Sequence, residues 1–207
     1  MTAVYVAAVE SETKLLDAWA LGDERAAQAL LTRHFDRLFR FFELSAPGAA
    51  EDLVQETLLA ALEGRDSYRA DANFCAFLMG IARNKVLMYW RTRSRRPREV
   101  DVGALSLEAL GASATSVIAR RDAERSLLLA LRLIPLADQL LLQMHYWDGL
   151  TGPELANALD VPEGTVRSRL RSAKARLREH VGQGSARDVD DDSFDAWVRS
   201  LRKRLHS

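Results

Sequence analysis

GLTGPELANALDVPEGTVRSRLRSAKARLRE, residues 149–179, contains a helix start, a turn and a second helix in close succession. Thr151 followed by Glu154 three residues later spells a capping box, and Pro153 falls in the first turn, where its missing N–H costs little. Leu155, Ala156 and Leu159 make the inner face of a short helix, Asp160-Val161-Pro162 the turn, and Val166 and Leu170 the anchors of a second helix. The small Ala156, the turn Val161 and the inward Val166 allow the two helices to cross closely. This is the pattern of a helix-turn-helix. Thr165, Arg167, Ser168 and Arg171 project outward from the first two turns of its second helix, with Lys174 a turn further on. That is the part of such a helix that enters a major groove, where Arg pairs bidentately with guanine and Thr or Ser reaches phosphates or bases. The alternative is an αα-corner with a solvated basic face. Six cations in twelve residues, however, repel one another unless a polyanion meets them.

Outward from this motif, charge is sorted along the chain. Lys+Arg and Asp+Glu number 29 each, a formal net charge of zero, which by itself argues against a nucleic-acid binder. Yet residues 1–70 carry 7 basic and 12 acidic groups, whereas 81–100 carry 7 basic groups (Arg83, Lys85, Arg91, Arg93, Arg95, Arg96, Arg98) against Glu99 alone. Residues 163–180 hold 6 basic groups against Glu163 and Glu179. Two basic segments in an acidic background point to two polyanion contacts.

At 207 residues, with 48% hydrophobic and 28% charged, the chain suits one ordinary domain or two small ones and is neither a disordered tail nor a membrane protein. A single cysteine, Cys75, excludes a disulfide framework and a multi-Cys zinc site; beside Phe74, Phe77 and Leu78 it is expected to be a buried, inert thiol. The start MTAVYVAAVESETK has no basic region ahead of its short apolar run, so no signal peptide is expected. No stretch approaches ~18 uncharged apolar residues. A soluble, cytoplasmic protein is expected. His34, His145, His180 and His206 are scattered, and no H-x-x-x-H, G-x-S-x-G or Walker pattern occurs, so neither catalysis nor a histidine-held metal is expected.

The periodicity is helical nearly throughout, which makes the class all-α. Helices are expected over 11–21 and 24–44, the latter with Leu30, Leu31, Phe35, Leu38, Phe39 and Phe42 as its core stripe. After the break Pro47–Gly48, another helix starts near Ala50 with Leu53, Val54, Thr57, Leu58, Ala61 and Leu62 inward and Gly64 as its C′ residue. The polar loop RDSYRADAN (65–73) precedes a long helix from about Phe74 to Arg93. Residues 94–117, with Pro97, Gly103 and Gly111, read as a flexible linker. Helices then cover about 118–133 and 137–147. The organisation is therefore two small helical domains, 11–93 and 118–182, joined by the linker 94–117 and followed by a short C-terminal extension, 183–207.

Two further clusters stay open on residue chemistry alone. Tyr89 and Trp90 lie among Arg83, Asn84, Lys85, Arg91 and Arg93, which suits stacking of single-stranded bases; the alternative is a core Trp90 on an ordinary solvated helix end. Glu51, Asp52, Gln55 and Glu56 share a helical face that could be solvated, hold a metal or dock a protein.

AEDLVQETLLAAL (50–62), DSYRADANFCAFLMGIARNKV (66–86) and DGLTGPELANALDVPEGTVRSRLRSAKARL (148–177) together resemble a bacterial RNA polymerase sigma factor of the extracytoplasmic-function group, over about residues 11–181. Phe77, Met88, Pro162 and Ser172 depart from that family's usual residues. The resemblance implies a sigma region 2-like helical bundle that docks on the clamp helices of the largest subunit of core RNA polymerase through Asp52, Gln55 and Glu56. It implies that Ser67, Tyr68, Arg69 and Asn73 line a pocket for an extruded base of the minus-ten element, with Arg83, Asn84, Lys85 and Trp90 beside it. Extrusion costs a few kcal/mol of unstacking, which the pocket must offset. A region 4-like helix-turn-helix would read the minus-thirty-five element as duplex through Thr165, Arg167, Ser168, Arg171 and Lys174. The implied role is promoter recognition and strand opening without chemistry of its own and without a cofactor. The implied partners are core RNA polymerase and promoter DNA, duplex and single-stranded, with an anti-sigma factor as a further candidate and no membrane.

The resemblance does not reach residues 183–207. There Asp188, Asp190, Asp191 and Asp192 precede Phe194, Trp197, Val198, Leu201 and Leu205 at helical spacings, with Arg199, Arg202, Lys203 and Arg204 towards the end. Both charge groups suit the dipole of one amphipathic helix. A helix of about thirteen residues is marginal alone in water and needs a surface for its apolar stripe. It is expected either to dock loosely or remain disordered, to associate with DNA or membrane through its basic end, or to pack on the chain's own domains or a partner and modulate promoter engagement.

Overall fold

The computed structural model describes residues 12–65, 68, 73–94, 127, 129–181, 195, 196 and 198. Among these residues the regular structure is helical, without strands, and the chain divides into two compact units, Met1–Thr92 and Arg93–Ser207. The expected linker from 95 onward, the expected helix over 118–126, Ser67, Arg69 and most of the extension lie outside the described residues.

The first unit holds α1 (12–20), α2 (Glu24–Ser45), α3 (Ala50–Glu63) and α4 (Phe74–Ser94). Asp23 starts α2 as an N-cap, its carboxylate accepting Arg25 N–H at 2.8 Å and Ala26 N–H at 3.2 Å, which satisfies donors that a helix start otherwise leaves unpaired. The core stripe of α2 runs through Ala27, Leu30, Leu31, His34, Leu38, Phe41 and Phe42. Two residues expected in that stripe leave it: Phe35 is 43% exposed and Phe39 is half-buried. A 3.6-residue period that keeps Leu30, His34 and Leu38 inward turns Phe35 and Phe39 one residue, about 100°, off the core axis. Those two rings stack on each other instead, centroids 6.3 Å apart and 10° from parallel.

Gly48 breaks the chain between α2 and α3 with φ +79°, a backbone region that L side chains rarely adopt. Gly64 stops α3 by a different route from the one expected, at φ −85° and ψ 13°, so its left-handed freedom is not used. Within α3, Leu53, Val54, Thr57 and Ala61 are buried, while Leu62 turns out to solvent. The buried Thr57 hydroxyl donates to Leu53 O at 2.7 Å, which satisfies its proton inside the helix. Trp90 on α4 donates its indole N–H to Ser45 O at 2.9 Å, one of the carbonyls that the end of α2 leaves without a helical partner.

The second unit holds α5 (129–133), α6 (Leu136–Tyr146), α7 (Gly152–Leu159) and α8 (Glu163–His180). Its core gathers Leu127, Ala130, Ile134, Leu142, Tyr146, Trp147, Ala173, Leu177 and Val181. The fully buried Leu127, Leu142 and Leu177 each stabilise the unit by about 1.5–3 kcal/mol relative to exposure. An ion pair of Arg176 with Asp138 adds a polar tie between α8 and α6.

Trp90→Phe keeps the ring but removes the donor to Ser45 O. It should cost about 1 kcal/mol, roughly 4–8 °C in the melting temperature of a unit this size, as read by thermal denaturation. A second expectation concerns acid. The buried His34 ring faces Glu12 at 3.7 Å and, helped by Arg33 and Arg37, holds the Glu12 carboxyl below its usual range against its partial burial. A depressed carboxyl contributes stability that is complete above its unfolded value and is lost as pH falls through the folded one. Glu12→Gln should therefore be less stable than wild type near neutrality, and the gap should close as pH falls below the usual carboxylate range.

Candidate functional site

The helix-turn-helix is built as its sequence predicts. Thr151 and Glu154 cap α7 reciprocally: Thr151 N–H donates to Glu154 Oε2 at 2.8 Å, and Glu154 N–H donates to Thr151 Oγ1 at 3.5 Å. The turn depends on Asp160, the one non-glycine with positive φ among the described residues, at φ 51° and ψ 52°. Asp tolerates this region better than most residues, and it lets Val161 N–H return to Ala156 O at 3.1 Å. At Gly152 a Cβ would come within 3.6 Å of Glu163 Oε1, so the starts of α7 and α8 lie against each other. Val166 is fully buried, which turns Arg167, Ser168 and Arg171 into solvent with Thr165 half-buried.

Not every residue of the expected DNA set is free. Arg167 Nη2 pairs with Glu163 Oε1 at 3.0 Å across one helical turn, both side chains well exposed. Such a pair is worth only about 0.3–0.5 kcal/mol and yields readily to a polyanion. Lys174 differs: it is half-buried, its ammonium held by Asp195 at 3.2 Å. The i,i+4 spacing of Glu163 and Arg167 is visible in the sequence, whereas nothing in the sequence announces Asp195 as the partner of Lys174.

On the first unit, burial of Leu53, Val54, Thr57 and Ala61 leaves Glu51, Asp52, Gln55 and Glu56 exposed on the opposite side of α3. Glu56 Oε2 accepts from Lys85 Nζ at 3.0 Å, so the acidic row of α3 meets the basic end of α4. Among the described residues no three His, Cys, Asp or Glu side chains are grouped to hold a metal ion.

The residues expected near single-stranded DNA fall into two sets. Asn73, Arg83, Asn84 and Lys85 lie at the surface or half-buried along α4. Asn73 also acts as the N-cap of α4, its Oδ1 accepting Ala76 N–H at 3.3 Å; an Asn just before the first helical residue is the sequence signal for that role. Tyr68 and Trp90 are packing groups in the structure. Tyr68 stands 5.5 Å from Phe74 and 5.4 Å from Phe77 within a cluster that includes Trp19. Trp90 is half-buried, tied to Ser45 and edge-on to Tyr89 at 5.3 Å. Cys75 is buried as expected, with the Arg37 guanidinium against its sulfur. No helix among the described residues is long and apolar enough to cross a membrane.

The Glu56–Lys85 pair bears on how α3 can be tested. Its carboxylate is more than half exposed, and an exposed pair contributes about 0.2–1 kcal/mol. Glu56→Ala should therefore lower thermal stability by no more than about 1 kcal/mol, leaving α3 available for binding measurements.

Comparison with known proteins supplies the family. The Sigma-70 region 2 family model matches residues 28–96 and the Sigma-70, region 4 model matches residues 124–177. The chain is similar to the ECF RNA polymerase sigma-E factor of Escherichia coli (strain K12), 27% identical over 169 residues, covering 77% of this chain and 88% of that protein. It is similar to the RNA polymerase sigma-H factor of Pseudomonas aeruginosa, 25% identical over 178 residues, covering 81% and 92%. Among solved structures it shares the fold of CnrH in complex with the cytosolic domain of CnrY, with TM-score 0.59, 23% identity and coverage of 82% and 96%. It also shares the fold of the sigma factor RpoE in complex with the anti-sigma factor NepR from Bartonella quintana, with TM-score 0.59, 22% identity and coverage of 76% and 98%. One model takes in α3 and α4 with their facing charges and the other the helix-turn-helix, so that together they span more than half of the chain, which belongs to the sigma-70 family as a sigma factor of the extracytoplasmic-function group.

Proposed function

We propose that this chain binds core RNA polymerase, directs it to specific promoters and promotes strand opening. A role in transcription initiation, through core polymerase and promoter DNA, comes with the family. The observation that carries the finer reading is the exposed row Arg167, Ser168 and Arg171 within the first three turns of α8, directly after a capped and tightly turned helix. A helix so presented enters the major groove of the minus-thirty-five element with its N-terminal residues at base edges. Thr165 and Ser168 then reach phosphates or bases, and Arg167 exchanges Glu163 for DNA.

Asp52, Gln55 and Glu56 are the polymerase-facing groups, meeting a basic surface on the clamp helices of the largest subunit. The separated non-template strand of the minus-ten element follows Asn73, Arg83, Asn84 and Lys85, beside the loop that carries Ser67, Tyr68 and Arg69. Trp90 contributes by holding α4 against the end of α2, with its ring edge as the remaining surface for a base. The division of labour is 11–93 for docking and minus-ten recognition and 118–182 for minus-thirty-five recognition, joined through 94–117. An anti-sigma factor, as in the RpoE–NepR complex, is the further partner. None of these roles needs a bond made or broken by this chain; synthesis belongs to the polymerase.

Run-off transcription with purified core polymerase tests the whole. Asp52→Arg should reduce retention of the chain by core polymerase without lowering its melting temperature, since reversal puts like charge against a basic partner. Arg167→Ala and Arg171→Ala should each cost roughly 1–3 kcal/mol of promoter affinity and relax specificity at one upstream position if they read bases. Asn84→Ala should lower the permanganate reactivity of the open region more than it lowers duplex binding. Wild-type transcription from all of these variants would exclude the assignment.

A further inference from the structure

Lys174 follows Arg167 by seven positions on α8, so an ideal helix returns it to within about 20° of the same azimuth. The two side chains nevertheless differ greatly: Arg167 is 73% exposed and Lys174 is 16% exposed. Asp195, in the C-terminal extension, lies against the lysine. The Asp195 carboxylate receives Lys174 Nζ at 3.2 and 3.5 Å and also accepts the Tyr146 hydroxyl. Tyr146 is fully buried, and a buried phenol requires a partner for its O–H. Three residues on, Val198 is fully buried in the cluster that contains Leu142, Ala173 and Leu177. An apolar anchor, a part-buried hydrogen bond and an ion pair therefore meet around Asp195 and Val198.

We propose that Asp195 is an internal phosphate mimic: its carboxylate holds Lys174, on the DNA-facing stripe of α8, in place of a DNA phosphate, so that the extension restrains promoter binding. This rests on α8 being the duplex-facing helix. A carboxylate and a phosphate offer an ammonium the same anionic oxygen acceptors, and the Asp195 charge seated on the lysine repels a phosphate that approaches it. Arg167 and Arg171 make first contact. Lys174 joins them only when Asp195 is lifted, which adds one phosphate contact. Val198 supplies the apolar hold that keeps the carboxylate in place, and its burial beside Ala173 and Leu177 couples the extension to α8 itself.

The test uses the full-length chain, a short mixed-sequence DNA duplex and fluorescence anisotropy over a range of salt. Asp195→Asn should bind the duplex several-fold more tightly than wild type at low salt, with a melting temperature reduced but still well above the assay temperature. One added phosphate contact steepens the log–log salt slope by about 0.9, so the gain should shrink about 3.5-fold between about 50 and 200 mM salt. Removing a negative charge could by itself favour DNA, and two comparisons separate that effect. Tyr146→Phe loosens Asp195 without changing charge and should produce a smaller gain of the same salt dependence. In a Lys174→Gln background, Asp195→Asn should change affinity by less than twofold. Persistence of the full gain in that background, or no gain from either Asp195→Asn or Tyr146→Phe, overturns the proposal. Loss of duplex binding in an Arg167→Ala, Arg171→Ala double variant shows that α8 faces DNA whatever Asp195 does. If that double variant binds like wild type, it is the DNA-facing role of α8 that fails.

Discussion

A left-handed residue at Asp160 sets the angle at which α8 leaves α7, and the useful surface of the second unit depends on that angle. With φ at 51° the chain passes from α7 to α8 within three residues, and the closing bond from Val161 to Ala156 O holds the turn. Glu163 then lies against Gly152, and Val166 drops into the core. Once Val166 and Ala173 face inward, the helical period leaves Arg167, Ser168 and Arg171 no direction but outward. The same cations would be a diffuse basic patch on a floppy corner. On a capped, tightly turned pair they form a row at fixed spacing, which is what groove recognition demands.

The first unit meets the same requirement by other means. Helix α3 buries one side through Leu53, Val54, Thr57 and Ala61, so its carboxylates present a rigid acidic strip. Helix α4 is held at its start by the Asn73 cap and towards its end by the bond from Trp90 to Ser45 O. Between these two fixings lie Asn84, exposed, and Arg83 and Lys85, half-buried. Lys85 reaches Glu56, placing the two charged surfaces within one ion pair of each other. In the proposed function, polymerase contact at α3 and strand contact at α4 therefore act on neighbouring groups. Charge that is neutral in total is useful here because it is sorted, acid on α3 and base on α4 and α8.

Asp195 extends the same logic within the second unit. An acidic residue far along the chain meets a lysine of the basic helix, and the contact is fixed by a buried tyrosine and a buried valine rather than left to solvent. Exposed ion pairs such as Glu163–Arg167 are easily exchanged; one seated on an apolar anchor is harder to displace. The basic face of α8 is thus graded, most available at its start and most committed near Lys174.

Much of this was legible in the sequence. Among the described residues, spacing alone identified the helices, the capping box at Thr151, the turn at Asp160 and the outward arginines, because each depends on residues within a few positions of one another. The motifs around Asp52 and Asn84 carried the family for the same reason. Local pattern was less reliable where two helical faces are both apolar: Phe35 and Phe39 fit the stripe of α2 as well as His34 and Phe41 do, and only packing against neighbouring elements chose between them. Tyr68 and Trp90 are ambiguous by nature, since an aromatic ring serves equally to stack a base or to fill a core. The pairings of Glu56 with Lys85 and of Asp195 with Lys174 join residues far apart in the chain, and no local periodicity encodes them. The sequence by itself determined the helices, their caps and the sorting of charge, which are short-range properties of the backbone and its side chains. Only the tertiary structure decided which aromatic rings are buried and which charges are already occupied, because those outcomes follow from helices covering one another in space.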